Sequence, residues 1–440
     1  MRKSPARVTR GAAVLGVAAL ALTACGPDTS TDAEAAPADE VSLDGVEPAD
    51  EITFWTNHPG GSADVENELI AEFTEETGIA VNVVTSGANY EETAQRFQTA
   101  QGSAEVDVVV LSDATWFPNY LNDALAPVDE LLEEADVDTS GLVAALYEDY
   151  LYEGSHYGVP YARSTPLFYY NADHYEEAGI EAPPETWEEV AEVSRRLTEA
   201  GVADTAFAFP PQDQYPAWWM ANLVWSHGGA WSEEWDFSPV SSPETVEALE
   251  FAQGAVGDWA SVASGDPADN FASGAASQIV QSTGSLGGIL ETASFEVGTA
   301  FLPGGPAAEG QTPTGGAGLM IASDSTPERQ LAAAMFLGHM TSPESTAAFS
   351  AATGYVPVHT EADMSEVYSQ TPQFETAVEQ LSRARVQDFA RVFVPGGDLL
   401  LSETLQRILT SDVDVAQEMA AVEAELESLY ESDLAGEVEG

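Results

Sequence analysis

Lysine is almost missing from this 440-residue chain, and cysteine occurs once. All basic side chains together number 13, against 74 acids, for a formal charge of −61. Four of the 13, Arg2, Lys3, Arg7 and Arg10, crowd the first ten positions, and no acid precedes Cys25. Removal of residues 1–24 would leave nine arginines facing all 74 acids, a charge of −65. Nucleic acid is excluded as a partner, because phosphate backbones are gripped by basic patches. Docking on an anionic bilayer through a basic patch is excluded for the same reason. A lone cysteine rules out an internal disulfide, a cysteine-based zinc site and a spare thiol nucleophile. The six histidines, at 58, 156, 174, 227, 339 and 359, are scattered without ligand spacing on a helix, so no metal site is expected. Asp412-Val413-Asp414 lacks the glycine and spaced ligands of a calcium loop. No G-x-S-x-G, H-E-x-x-H or G-x-x-x-x-G-K occurs, and no carboxylate dyad stands out among so many acids. No cofactor is expected.

Acidity does not imply disorder here. Hydrophobic residues make up 44%, with 9 Trp, 14 Tyr and 17 Phe, which is ample core material. A chain of this length divides into more than one core. The acids are spread along the chain, as in a solvated surface suited to high solubility.

The amino terminus reads as an address. A basic start is followed by the apolar run Gly11–Leu22, too short for a membrane span but right for a secretory signal. It ends Leu22-Thr23-Ala24-Cys25-Gly26, which resembles a bacterial lipobox, with signal peptide 1–24 and lipidation at Cys25. Residues 25–50 are acidic and poor in apolar side chains, a self-repelling tether. The expected location is outside the cytoplasmic membrane, held by a lipid.

Periodicity predicts an α/β architecture. Strand (Ile52–Trp55), helix (Ser62–Glu76), strand (Ile79–Thr85), helix (Tyr90–Gln101) and the nearly all-apolar strand Val106–Leu111 imply a parallel sheet with right-handed crossovers. Strands then flank Ser164-Thr165-Pro166, Thr186-x-x-Glu189 is a capping box, and Ser242-Pro243 opens another helix. Near the end, Val415, Met419, Val422, Leu426 and Leu429 form a stripe expected to pack on a lobe rather than in a coiled coil. Trp218, Trp219, Trp225, Trp231 and Trp235 cluster within eighteen residues beside Tyr215. Aromatic faces can stack on polyols, and they can equally fill a core. Ser282–Ser285 and Thr314–Ala317 read as Gly-rich loops able to offer bare backbone N–H groups.

Seven pieces in order, ITFW at 52–55, Gly87-x-Asn89-Tyr90, Ser164-Thr165-Pro166 through Asn171, Pro183-Pro184-x-Thr186-Trp187, Ser282 to Leu286, Gly315-Gly316-Ala317 and Thr353 to Pro357, resemble extracellular solute-binding proteins of family 1. These are the capture components of ABC importers, and among them the sn-glycerol-3-phosphate-binding member is the most similar. The resemblance implies a two-lobe, periplasmic-binding-protein-like (type II) α/β fold with hinge segments and a ligand cleft between lobes. Lobe 1 would take about 51–160 plus part of 320–360, and lobe 2 about 165–315 plus 360–440. It implies a ligand shell of Tyr90, Asp113, Ser164, Ser282, Gly316 and Tyr355, the last three reaching from the second lobe and crossing segments. Two departures exist. The family's ligand-flanking Trp pair corresponds to Pro210–Pro216, and Trp218-Trp219 come later; the family's phosphate-pairing Arg aligns with Val392, leaving Arg391 one residue away to fill the role. The expected partners are a small polyol or sugar ligand and ABC permease subunits, with the protein a monomer. A secreted carbohydrate-active hydrolase is the alternative.

Overall fold

The computed structural model describes residues 43, 45–58 and 61–438. The signal segment, Cys25 and the tether as far as 42 lie outside them. The tether expected through 50 ends sooner. Leu43 is buried in the first-lobe core, and Ala49 N donates to Glu328 O at 2.8 Å. One apolar side chain in an acidic stretch is enough to anchor its end.

Two five-stranded sheets organise the chain, and their ten strands are numbered here. The first holds β1 (Glu51–Thr56), β2 (Ala80–Thr85), β3 (Val108–Ser112), β4 (Val159–Ser164) and β10 (Gly315–Ile321), in the order β2-β1-β3-β10-β4. The second holds β5 (Pro166–Asn171), β6 (Thr205–Phe209), β7 (Ala260–Val262), β8 (Ala276–Ser282) and β9 (Val297–Ala300), in the order β9-β5-β8-β6-β7. The predicted β-α-β-α-β start is present, with β1 parallel to both β2 and β3. The sheet as a whole is mixed, not parallel: β10 runs antiparallel to β3 and β4. That strand arrives from distant sequence, so local order could not reveal its direction.

Each sheet is covered by helices. Phe54 on β1 meets Phe336 of the helix Pro327–Met340, and Phe336 meets Phe73 of the helix Gly61–Thr77, both edge-on with centroids 5.3 Å apart. In the second lobe, the helix Trp187–Ala200 opens on the predicted capping box, Thr186 Oγ1 accepting from Glu189 N and Glu189 accepting from Thr186 N, each at 3.2 Å. The helix Pro216–His227 is buried over all twelve residues, as expected of a helix apolar on every side. It absorbs three of the clustered tryptophans. The C-terminal stripe packs as expected, with Val415, Met419, Val422 and Leu426 buried against neighbouring helices.

The chain passes between sheets at Thr165 and again between β9 and β10. A third segment joins them where Val356 N donates to Arg163 O at 2.8 Å. These crossings place the ends of β3, β4, β8 and β10 around one cleft.

Candidate functional site

The cleft encloses about 860 Å³ of free space, its mouth included. From the first sheet come Ser112 and Asp113 at the end of β3, Ser164 at the end of β4, and Gly315 and Gly316 opening β10. Tyr90 and Glu91 stand in the first turn of the helix Tyr90–Ala100, whose start is fixed by Asn89 Oδ1 accepting from Glu92 N at 2.8 Å. Across from them lie Tyr215, Trp218, Asp266, Gln281, Ser282 and Arg391.

Gly316 is where backbone freedom matters. Its φ is +95°, and a Cβ there would sit 2.1 Å from the carbonyl oxygen of Ala162. A side chain at Gly315 would strike the Trp218 indole at 2.6 Å. The two glycines let β10 bend into the cleft and let Trp218, whose Nε1 donates to Thr314 O at 2.8 Å, lie flat against it.

Arg391 is the cation of the site. It belongs to the short helix Phe389–Val392 and is 5% exposed. Its Nη1 lies 3.1 Å from Asp113 Oδ2, and its Nε lies 2.7 Å from Asp398 Oδ1. The second pair is close without good hydrogen-bond alignment, so it is an ion pair only. The Gln387 side chain bridges, donating to Asp113 and accepting from Arg391. Burial raises the Asp398 carboxyl, and Arg391 opposes the rise. Glu91, at the exposed rim, is also raised, by desolvation first and by neighbouring acids next. Asp266 is committed elsewhere: Oδ1 accepts from Gln281 Nε2 and from Ala268 N, both at 2.8 Å. One guanidinium thus sits among four carboxylates, two of them already in contact with it.

Tyr90, Asp113, Ser164, Trp218, Ser282, Gly316, Tyr355 and Arg391 all line this one cleft. Trp219 does not. It faces inward, 2% exposed and stacked on Phe209 at 5.7 Å, because adjacent helical residues point about 100° apart. Two further expectations need correction. Ser282–Ser285 is a helical turn leading into the helix Leu286–Thr292, and Gly315–Ala317 is strand, so neither is a plain loop. Gly316 belongs to the first sheet, and Tyr355, on the crossing segment, packs against the first-lobe core. Sequence reasoning missed Glu91, Asp398, Gln281 and Asp266. Glu91 adjoins a named residue; Asp398 is one acid among 74 and carries no local signal. Tyr215, beside the clustered tryptophans in sequence, belongs to the cleft as well. It lines the cleft with φ +54°, in the left-handed region.

No group of three or more His, Cys, Asp or Glu among the described residues is arranged to hold a metal ion. Among those residues, too, no helix is long and apolar enough to cross a membrane.

Comparison with known proteins agrees with this geometry. The family model described as bacterial extracellular solute-binding protein matches residues 68–376. The crystal structure of UgpB from Mycobacterium tuberculosis in complex with glycerophosphocholine is similar at 38% identity and a TM-score of 0.82, over 87% of this chain and 99% of that one. The sn-glycerol-3-phosphate-binding periplasmic protein UgpB of Escherichia coli K12 is 26% identical over 362 residues, 75% of this chain and 80% of its own length. The GacH receptor of Streptomyces glaucescens, at 20% identity, TM-score 0.75, 87% of this chain and 98% of that one, shares the two-lobe fold. The chain belongs to the bacterial extracellular solute-binding protein family.

Proposed function

We propose that this chain is the solute-capturing lipoprotein of an ABC importer and that its cleft takes a glycerophosphodiester with a cationic headgroup, such as glycerophosphocholine. The observation that carries this reading is Arg391 held between Asp113 and Asp398. A doubly charged phosphate monoester would have to outbid two carboxylates for one guanidinium. A phosphodiester brings a single negative charge, and its ammonium group is welcome among Glu91, Asp398 and the rings of Tyr215 and Trp218. The glycerol hydroxyls suit Asp113, since a charged acceptor makes the stronger hydrogen bond. The glycerophosphocholine complex of the Mycobacterium tuberculosis relative supports this choice. A neutral sugar fits the acids and aromatics but leaves the arginine without a role.

The mechanism is capture and release. Solute touching residues from both sheets stabilises the closed arrangement by its differential contacts, and the permease receives the closed form. No bond is made or broken. Lobe 1 takes about 51–160 plus part of 320–360; lobe 2 takes about 165–315 plus 360–440. The protein works as a monomer, tethered outside the membrane through lipid at Cys25. Intrinsic Trp fluorescence and calorimetry against glycerophosphocholine, glycerol 3-phosphate and maltose test the solute. Saturable binding of the phosphodiester, recovered chemically unchanged, is expected; a preference for maltose would overturn the assignment. Radiolabelled palmitate should enter the protein and fail to enter Cys25→Ala.

A further inference from the structure

Beneath the first-sheet wall lies a buried polar chain that the capture mechanism does not use. His58, just after β1, is 6% exposed, and Glu66 on the helix Gly61–Thr77 is 2% exposed. His58 Nδ1 lies 2.9 Å from Glu66 Oε1. Its other nitrogen, Nε2, lies 3.2 Å from the hydroxyl of Tyr90, and that hydroxyl lies 3.2 Å from the hydroxyl of Tyr355. Both tyrosines line the cleft. Glu66 also accepts from Thr56 Oγ1 and from Tyr161 OH, each at 3.1 Å. The groups facing the imidazole are therefore Glu66 from its helix, Tyr90 from the next helix, Tyr161 from β4, Tyr355 from the crossing segment, and the apolar ring of Phe349. No cation faces it among the described residues.

We propose that His58, held by Glu66, sets which way the hydroxyls of Tyr90 and Tyr355 point, and so whether the cleft wall offers the solute acceptors or a donor. This deepens the reading of the cleft as a solute site and rests on it. An ionised Glu66 only accepts, which puts a proton on Nδ1 in every state of the ring. In the neutral ring Nε2 is then an acceptor. Tyr90 donates to it, Tyr355 donates to the Tyr90 oxygen, and the free lone pairs of Tyr355 face the cleft. In the imidazolium Nε2 donates instead. The Tyr90 oxygen becomes the acceptor, its proton turns to Tyr355, and the Tyr355 proton turns to the cleft. One proton taken up at a buried ring thereby reverses two hydroxyls at the solute. Burial raises both phenols above their ordinary range, so each keeps the proton that the reversal needs. His58 is a positioning residue: it reaches the solute only through Tyr90.

The test is ring ¹⁵N NMR of the full chain with and without glycerophosphocholine, alongside affinity measured from about pH 5.5 to 8, where histidine changes charge. The neutral ring of His58 should carry its proton on Nδ1. Affinity should change at least about fivefold across this range, and the solute should in turn perturb the ring nitrogens of His58. His58→Gln should flatten that part of the affinity profile. Tyr90→Phe, which keeps the ring and removes the relay, should abolish the solute's effect on His58 while still perturbing the ring of the unliganded protein. A neutral ring protonated on Nε2, or His58 ring nitrogens unperturbed by a solute that binds, would overturn the proposal and leave the solute assignment standing. If no phosphodiester binds, the solute assignment falls. The tautomer and the Tyr90→Phe effect on the unliganded ring then decide the relay alone.

Discussion

Replacing Arg391 by Met tests the site most directly. Methionine keeps most of the length and apolar volume of the side chain and removes the charge. The guanidinium is 5% exposed and sits 3.1 Å from Asp113 and 2.7 Å from Asp398. Losing it strands two carboxylates, the first nearly buried and the second about a quarter exposed. Breaking a fully buried pair costs about 3–5 kcal/mol. Water entering from the cleft reduces this, so about 2–3 kcal/mol of stability should go at neutral pH. The loss should depend on pH. The Asp398 carboxyl is already raised in the folded protein, and removing its counter-ion raises it further. A raised carboxyl favours folding below the ordinary carboxylate range and disfavours it as pH climbs through the folded value. Urea unfolding should therefore show the variant gaining stability relative to wild type as pH is lowered from 7 towards 5. Removing one of the two stranded carboxylates with Asp113→Asn in the same chain, which returns the local charge to its wild-type value, should recover part of the loss. Calorimetry should show glycerophosphocholine weakened by about 1.5–3 kcal/mol, roughly ten- to a hundredfold, while any neutral sugar that binds changes less than about twofold. Unchanged phosphodiester affinity, or a stability loss independent of pH, would refute the reasoning.

Three further substitutions read other parts of the structure. Gly316→Ala drives a Cβ against the Ala162 carbonyl at a φ of +95°, so thermal unfolding should show a loss of about 1–3 kcal/mol and calorimetry a weaker solute. Trp219→Phe should leave affinity unchanged while Trp218→Phe weakens it, because only Trp218 lines the cleft; equal effects in a fluorescence titration would contradict the placement. Burial pushes the Asp149 carboxyl up to about 6 in spite of its partner Arg163. Its contribution to stability is present below the ordinary carboxylate value and lost as pH rises through about 6. Asp149→Asn should thus flatten the stability–pH curve between about pH 4 and 6 by an amount on the order of 2–3 kcal/mol, whatever uniform cost the stranded arginine adds.

The sequence is a good guide where a local rule acts. The buried strand β3, the capping box at Thr186 and the stripe from Val415 announce themselves because periodicity and capping are properties of a few neighbouring residues. The apolar run Leu319–Ala322 reads as strand, and β10 covers most of it, but its antiparallel pairing is invisible to such rules, since its partner strand β3 lies some two hundred residues earlier. The cleft divides in the same way. Tyr90, Ser164, Ser282, Gly316 and Tyr355 sit in recognisable motifs, and the structure gathers them. Asp398, Gln387 and Glu66 matter only through what they face, and no spacing in a chain with 74 acids marks them. Trp218 and Trp219 show the limit most sharply. They are identical neighbours, and only the rotation of one helix sends the first to the cleft and the second to the core.

The charge of the chain and the arrangement of the cleft bear on one question, which solutes reach the site and stay. At −61 the molecule repels anions, and that repulsion acts over about 8 Å at physiological salt. A dianion arriving at the mouth would meet Glu91 first and an arginine already held by acids next. A zwitterion with no net charge is not repelled on approach, and within the cleft each of its charges has an opposite to meet. On the proposed reading the guanidinium of Arg391, which lines the cleft, would act less as a magnet than as a filter. On that same reading it would bind a phosphate only when the solute also brings a cation to relieve the carboxylates that the phosphate displaces. That exchange needs Arg391, Asp113 and Asp398 together, so the three behave as one unit whose parts are strongly non-additive.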